Sequence, residues 1–205
     1  MPKAESRTIT IGVTGASGAV YAQSILRLLD ADRRVQRVYL IVTDAGLRLI
    51  NGELGIVAAD GKKLPALLTG TAAKKIEFLP NKDIGATIAS GSAVADAMAV
   101  IPCSAGALGA IASGIANDLL ARAADVCLKE RRPLVLCLRE TPLNRIHLDN
   151  MLRVHDAGAT VMPAMPAFYY GPAKIDDLVE QFAHRVLAQL GLPQKEQYRW
   201  KGGKA

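Results

Sequence analysis

Aromatic side chains are scarce in this chain of 205 residues: they make up 4% of it, with Trp200 the single tryptophan. Cysteine is sparse too. Cys103, Cys127 and Cys137 are odd in number and lack metal-ligand spacing, which excludes a disulfide framework and a zinc site and fits a reducing, cytoplasmic setting without metal. Charge of one sign is never concentrated. The net charge of +6 is spread over "DRRVQR", "KERRP" and the tail "YRWKGGKA", each of which reads as a solvated face. None has the aromatic interleaving that nucleic-acid binding would need, while a basic balance suits phosphate ligands. "MPKAESR" lacks the apolar core of a signal peptide. One uncharged run, Ala97–Ala116, has the length of a membrane span. Small residues fill it and Pro102, Ser104, Gly106 and Gly109 interrupt it, so it reads as a buried strand entering a buried helix. Neither nucleic acid nor a membrane is an expected partner.

What is present is alternation. Apolar runs at Thr8–Val13, Val38–Val42, Met98–Pro102 and Pro133–Leu138 read as strands, with weaker ones at "KKIEFL" and "ATVMP". Helical patterns separate them: Gly18–Leu29, Asp44 to about Ile50, Ser104–Glu130, Pro142–Gly158 and Ile175–Gly191. The strands are continuously apolar because both faces are covered. This predicts a doubly wound parallel α/β sheet of Rossmann-like type, built as one domain over residues 1–205 without repeat or linker.

In such a sheet, ligands bind beyond the carboxyl ends of the strands. Those ends are Thr14–Gly18, Thr43–Asp44, Cys103–Ser104, Arg139–Glu140 and Pro163–Tyr170. The first, within "VTGASGA", offers backbone amides and Ser17 at a helix N-terminus, a seat fit for any phosphate. A nicotinamide site is one reading, with Asp44 for the ribose and Tyr170–Lys174 as a Tyr-x-x-x-Lys pair. Gly171 and Pro172 oppose the helical turn that pair requires, and Tyr21 replaces the expected glycine. His147, His155 and His184 read as helix-surface or packing residues.

The second half of the chain is more specific. "IPCSAGALGAIASGIANDLLARAADVCLKERRPLVLCLRETPLNRIHLDNM" closely resembles the UbiX-type flavin prenyltransferases, as do "VTGASGA" and "MPAMPAFYYGP". The likeness covers nearly the whole chain. Peptidyl-cysteine decarboxylases share the fold, but they carry a histidine after the first helix and no "RETPL". The resemblance implies a flavoprotein that binds reduced FMN and transfers a dimethylallyl group to it from dimethylallyl phosphate. The product, prenylated FMN, serves UbiD-type decarboxylases. Residue by residue, it implies Gly15, Ala16, Ser17, Thr43, Ser104, Ala105, Gly106, Ala107 and Arg139 at the flavin, and Tyr169 and Arg185 at the prenyl phosphate. Arg122 and Lys129 would reach that phosphate across a subunit interface of a homo-oligomer, commonly a dodecamer. Ser17, Glu53 and Glu140 would act in catalysis, and Trp200 would help close the site. Ala105, Gly106 and Ala107 replace the family's usual Met, Lys and Thr, and "ASGSAVADAM" replaces "ASGSFRTDGM". These losses leave open a different prenyl donor, or a paralogue that carries FMN or prenylated FMN as a decarboxylase subunit.

Overall fold

The computed structural model describes residues 6–93 and 95–200. Six parallel strands form one sheet: β1 (Arg7–Val13), β2 (Val35–Val42), β3 (Ile76–Pro80), β4 (Ala97–Cys103), β5 (Leu134–Leu138) and β6 (Thr160–Val161). Their order is β3-β2-β1-β4-β5-β6, so the winding reverses between β1 and β4. That reversal opens a crevice at the carboxyl edge.

Seven helices cover the sheet: α1 (Ala19–Ala31), α2 (Asp44–Leu54), α3 (Leu64–Thr69), α4 (Ala105–Ala112), α5 (Leu119–Lys129), α6 (Arg145–Asp156) and α7 (Ile175–Gln189). Strand periodicity divides the core in two. Ile9, Ile11, Val13, Ala97, Ala99 and Ile101 face Ile25, Leu26 and Leu29 of α1 and Phe182 and Leu187 of α7. Met98, Val100, Leu134, Leu136 and Leu138 face the other way, against Leu108, Leu119, Leu120, Ala124 and Val154. β4 and β5 are buried at every residue, as their unbroken apolar runs require. At the opposite edge, β3 alternates buried Ile76 with exposed Glu77, and Glu77 pairs with Arg37 at 3.1 Å.

The expected helix over Ser104–Glu130 is two helices. Gly114 takes φ 65 beyond α4, and Asp118 then caps α5, accepting from the Ala121 N–H at 2.8 Å. α4 lies against α6, where a Cβ on Gly109 would stand 3.4 Å from Asn150 Nδ2. The short α3 was not foreseen, although Pro65 in its first turn and Gly70 at its end are ordinary boundary signals. α2 runs past Ile50 to Leu54, ending on Gly55 in the left-handed conformation. No helix among the described residues is long and apolar enough to cross a membrane. Of the tail and the altered upstream loop, Lys201–Ala205 and Val94 lie outside the described residues.

Candidate active site

The strand ends are tied in a row across the switch point. The Thr43 N–H donates to Val13 O at 3.0 Å, the Thr14 N–H to Pro102 O at 3.2 Å and the Arg139 N–H to Cys103 O at 3.0 Å. The loops that carry the expected site residues therefore spring from one framework. Gly15 is pressed against α2: a Cβ there would stand 2.5 Å from that of Ala45.

The first loop differs from expectation in one respect. α1 begins at Gly18 (φ 120), which has no side chain to cap it. Glu53, in the last turn of α2, does so instead, its Oε2 accepting from the Gly18 N–H at 3.0 Å and the Ala19 N–H at 2.8 Å. The anion seat foreseen for a phosphate is thus filled by the protein's own carboxylate. Partial burial pushes the Glu53 carboxyl up. Hydrogen bonds from Ser17, Ala19 and Gly18, and the charge of Arg139, outweigh that effect and hold it below its usual range. Ser17, Glu53 and Arg139 therefore form one electrostatic cluster.

The hydroxyls of Thr43 and Ser104 are helix caps, accepting from the Gly46 N–H at 3.0 Å and the Ala107 N–H at 3.2 Å. The Thr43 O–H also donates, at 3.5 Å, to Val13 O, whereas the Ser104 O–H has no acceptor among the described residues. Ala105, Gly106 and Ala107 form the first turn of α4. A Cβ on Gly106 would meet nothing within 4 Å, so the turn is an open floor without side-chain obstruction.

Arg139 and Glu140 follow β5 and are exposed. Glu140 Oε1 accepts from the Thr141 N–H at 3.1 Å. Both border a cleft of about 520 Å³ walled by Leu138, Leu143, Pro163, Ala164 and Met165. Charged groups here face a mainly apolar hollow.

Tyr169 belongs to an aromatic group of which the sequence pointed to Tyr169 and Trp200 but not to Tyr198. Its ring centroid lies 5.9 Å from that of Trp200, edge to face, and 5.6 Å from that of Tyr198. By charge the tail reads as a solvated basic patch and by resemblance Trp200 helps close the site; Tyr198 and Trp200 fold back together onto the loop before α7. Their alternation in "YRW", which puts both rings on one side of an extended chain, was the available signal. Arg185 is exposed on α7 and, among the described residues, has neither hydrogen bond nor ion-pair partner. Its neighbour His184 lines a cavity of about 340 Å³ shared with Tyr170 and Tyr198.

Within one protomer Arg122 and Lys129 are engaged with groups other than the expected site residues. α5 starts beside Asn81, beyond β3, and runs back toward the opposite edge. Arg122 Nε donates to Ala89 O at 3.0 Å and its Nη1 pairs with Asp125 at 3.0 Å, while Lys129 pairs with Glu130. The histidines behave as packing and capping groups. His147 completes the α6 cap with Asn144, and His184 is buried beside Glu180. Tyr170 and Lys174 precede α7, so the Tyr-x-x-x-Lys pair has no helical turn to align it.

A doubly wound sheet with hydroxyls, a bare α4 start, one arginine and two separate carboxylates at its carboxyl edge has the form of a nucleotide-cofactor protein of the Rossmann-like class. The family model "Flavoprotein" matches residues 2–187. The flavin prenyltransferase UbiX of Pseudomonas aeruginosa is 44% identical over 197 residues, covering 94% of this chain and 93% of that one. Among solved structures, AnUbiX (PadA1) in complex with FMN and dimethylallyl pyrophosphate superposes with TM-score 0.84 at 38% identity, covering 97% of this chain and 100% of that one. The dodecameric FMN-dependent UbiX-like decarboxylase from Escherichia coli O157:H7 gives TM-score 0.84 at 39% identity, covering 95% and 100%. The chain belongs to the flavoprotein family, within its UbiX-type flavin prenyltransferases.

Proposed function

We propose that this protein joins a dimethylallyl group from dimethylallyl phosphate to reduced FMN, and that the prenylated FMN is passed to a UbiD-type decarboxylase. The observation that carries the reading is the convergence on one edge of the strand ends that bear Ser17, Thr43, Ser104 and Arg139–Glu140, bonded in a row through Val13, Pro102 and Cys103, beside an α4 start that is bare. These residues fit a flavin: Gly15, Ala16 and the turn Ala105–Ala107 let a flat ring approach the backbone. Ser104 has an O–H group to donate, and Arg139 supplies a cation. Bound reduced FMN supplies electron-rich ring atoms that accept the prenyl carbons.

The chain's own residues do the rest. A prenyl phosphate leaves only if its developing charge is neutralised. Tyr169 and Arg185 would meet that charge, and a neighbouring copy would bring its Arg122 and Lys129, which in their own protomer pair with Asp125 and Glu130. Glu140 would give a proton to the departing phosphate and later take one from the ring, with Ser17 relaying it under the hold of Glu53. Trp200 and Tyr169 would exclude water from the allylic fragment. The neighbouring copy has a surface to dock on: Ile146, Leu148 and Leu152 of α6 are exposed, as are Met165 and Phe168. In this reading the protein works as a homo-oligomer, a dodecamer by likeness to its relative, and residues 1–205 act as one flavin-binding domain.

The open space over Gly106 favours a second reading, in which the site takes a bulkier prenyl donor or only carries the flavin. One experiment separates them. The pure protein is mixed anaerobically with reduced FMN and dimethylallyl phosphate, and the extracted flavin is weighed by mass spectrometry. A gain of one dimethylallyl unit is expected. Unmodified FMN with this donor, followed by prenylation from dimethylallyl pyrophosphate or a longer prenyl phosphate, establishes the altered donor. Unmodified FMN with all of them leaves a carrier.

A further inference from the structure

Thr14 has no assigned part in the reaction, yet it stands where the two halves of the sheet meet. The β1–β4 ladder pairs Ile9 with Ala97 through to Gly12 with Val100, and then stops. Continued in register it would set Thr14 opposite Pro102, which has no N–H to give. The side chain of Thr14, 1% exposed, fills that gap. Its Oγ1 donates to Pro102 O at 2.8 Å and accepts from the Ser104 N–H at 2.8 Å, while the Thr14 N–H also reaches Pro102 O. One hydroxyl thus joins the loop carrying Gly15–Ser17 to the turn carrying Ser104 and the floor of α4.

We propose that Thr14 is a positioning residue: its hydroxyl latches the first loop to the β4–α4 turn, so that the two walls of the flavin site keep a fixed separation. The proposal rests on the flavin-binding reading above. Its logic is chemical. Valine has the shape of threonine but can neither donate to Pro102 O nor accept from Ser104 N–H. It leaves the Ser104 N–H unpaired and Pro102 O with the Thr14 N–H alone, so that, among the described residues, this backbone bond is the one tie left between the two loops. Serine keeps both bonds and loses a methyl group.

The test uses full-length Thr14→Val and Thr14→Ser, with FMN affinity read by quenching of flavin fluorescence and melting temperature read first. Thr14→Val is expected to bind FMN at least tenfold more weakly. At saturating FMN its kcat falls at least tenfold, with KM for dimethylallyl phosphate within twofold of the parent. Thr14→Ser is expected within twofold of the parent on every measure. Parental FMN affinity in Thr14→Val overturns the proposal. So does a Thr14→Ser as impaired as Thr14→Val, and so does a Thr14→Val chain that no longer folds, which makes the residue structural. A parent protein that binds FMN without prenylating it defeats the prenyltransferase reading instead, and the latch is then judged on affinity alone.

Discussion

Replacing Glu53 by glutamine keeps the size of the side chain and one acceptor oxygen but removes the charge at the start of α1. The parent carboxylate accepts two backbone N–H bonds at 3.0 and 2.8 Å from a helix that has no cap of its own. A hydrogen bond to a charged group contributes about 1 kcal/mol more than a neutral one, and a charge at a helix N-terminus roughly 0.3–1 kcal/mol. Glu53 is exposed, so solvent screening favours the lower ends, and Glu53→Gln should cost about 1–2 kcal/mol. For a chain of this size that lowers the melting temperature by roughly 3–6 °C. The pH dependence makes the test specific. The carboxyl lies below its ordinary value of 4.5, so its contribution is complete above that value and is lost as pH falls through the lowered one. Scanning calorimetry without flavin should show a gap between parent and variant at pH 7 that closes as the pH is taken progressively below 4.5. Equal melting at pH 7, or a gap that persists unchanged in acid, would refute the capping role.

Other outcomes follow from the same geometry. Glu140→Gln should retain FMN affinity within twofold yet lose prenylated product by about 100-fold, as for a removed general acid–base. Product at the parental rate takes Glu140 out of the mechanism. Arg185→Ala should raise KM for dimethylallyl phosphate by about tenfold, roughly 1.4 kcal/mol of lost phosphate binding, and leave FMN affinity unchanged. Equal effects on both ligands count against that assignment. The hydrogen bond from Arg34 pulls the Asp32 carboxyl from 3.8 to about 2, with help from Gln194. Asp32→Asn should therefore cost about 1 kcal/mol at neutral pH after allowing for the half-exposed Arg34. Denaturant titrations should show that cost disappearing as pH falls from 3.8 toward 2, and a pH-independent cost sinks the ion-pair account. Leu152→Asp, one turn from exposed Leu148 on the same side of α6, should shift the assembled species to smaller ones in sedimentation, and an unchanged profile places the interface elsewhere.

The sheet was legible because its strands obey one rule: buried on both faces, they read as unbroken apolar runs. β4 and β5 show it most clearly. The break between α4 and α5 was visible as Ser113–Gly114 and Asp118, but an uninterrupted run of small and apolar residues masked it. The site was legible as a set of strand ends and not as a set of bonds. Glu53 meets the start of α1 only because α2 folds back over the first loop, and no local pattern encodes a contact 35 residues apart, from Gly18 to Glu53. Thr14 is similar: Pro102 announces a missing donor, but the register that puts Thr14 opposite it is a property of the assembled sheet. Tyr198 was hidden by basic neighbours, whose charges suggested a solvated tail while the rings between them were free to pack.

That tail also works as a measured length of cord. At one end, Gln194 Nε2 donates to the Asp32 carboxylate at 3.3 Å and Arg34 Nη2 donates to Pro193 O at 3.1 Å, fastening the chain at the foot of α1. At the other, Tyr198 and Trp200 rest on Tyr169, above the first turns of α7. Only Lys195, Glu196 and Gln197 lie between, and they are already drawn into a turn by the Gln197 N–H on Gln194 O at 3.4 Å. A free segment would let the aromatic pair wander over the surface. Fastened this way, it can swing only about a short radius centred near Gln194, and the number of residues in that segment sets how far from Tyr169 the indole can come to rest.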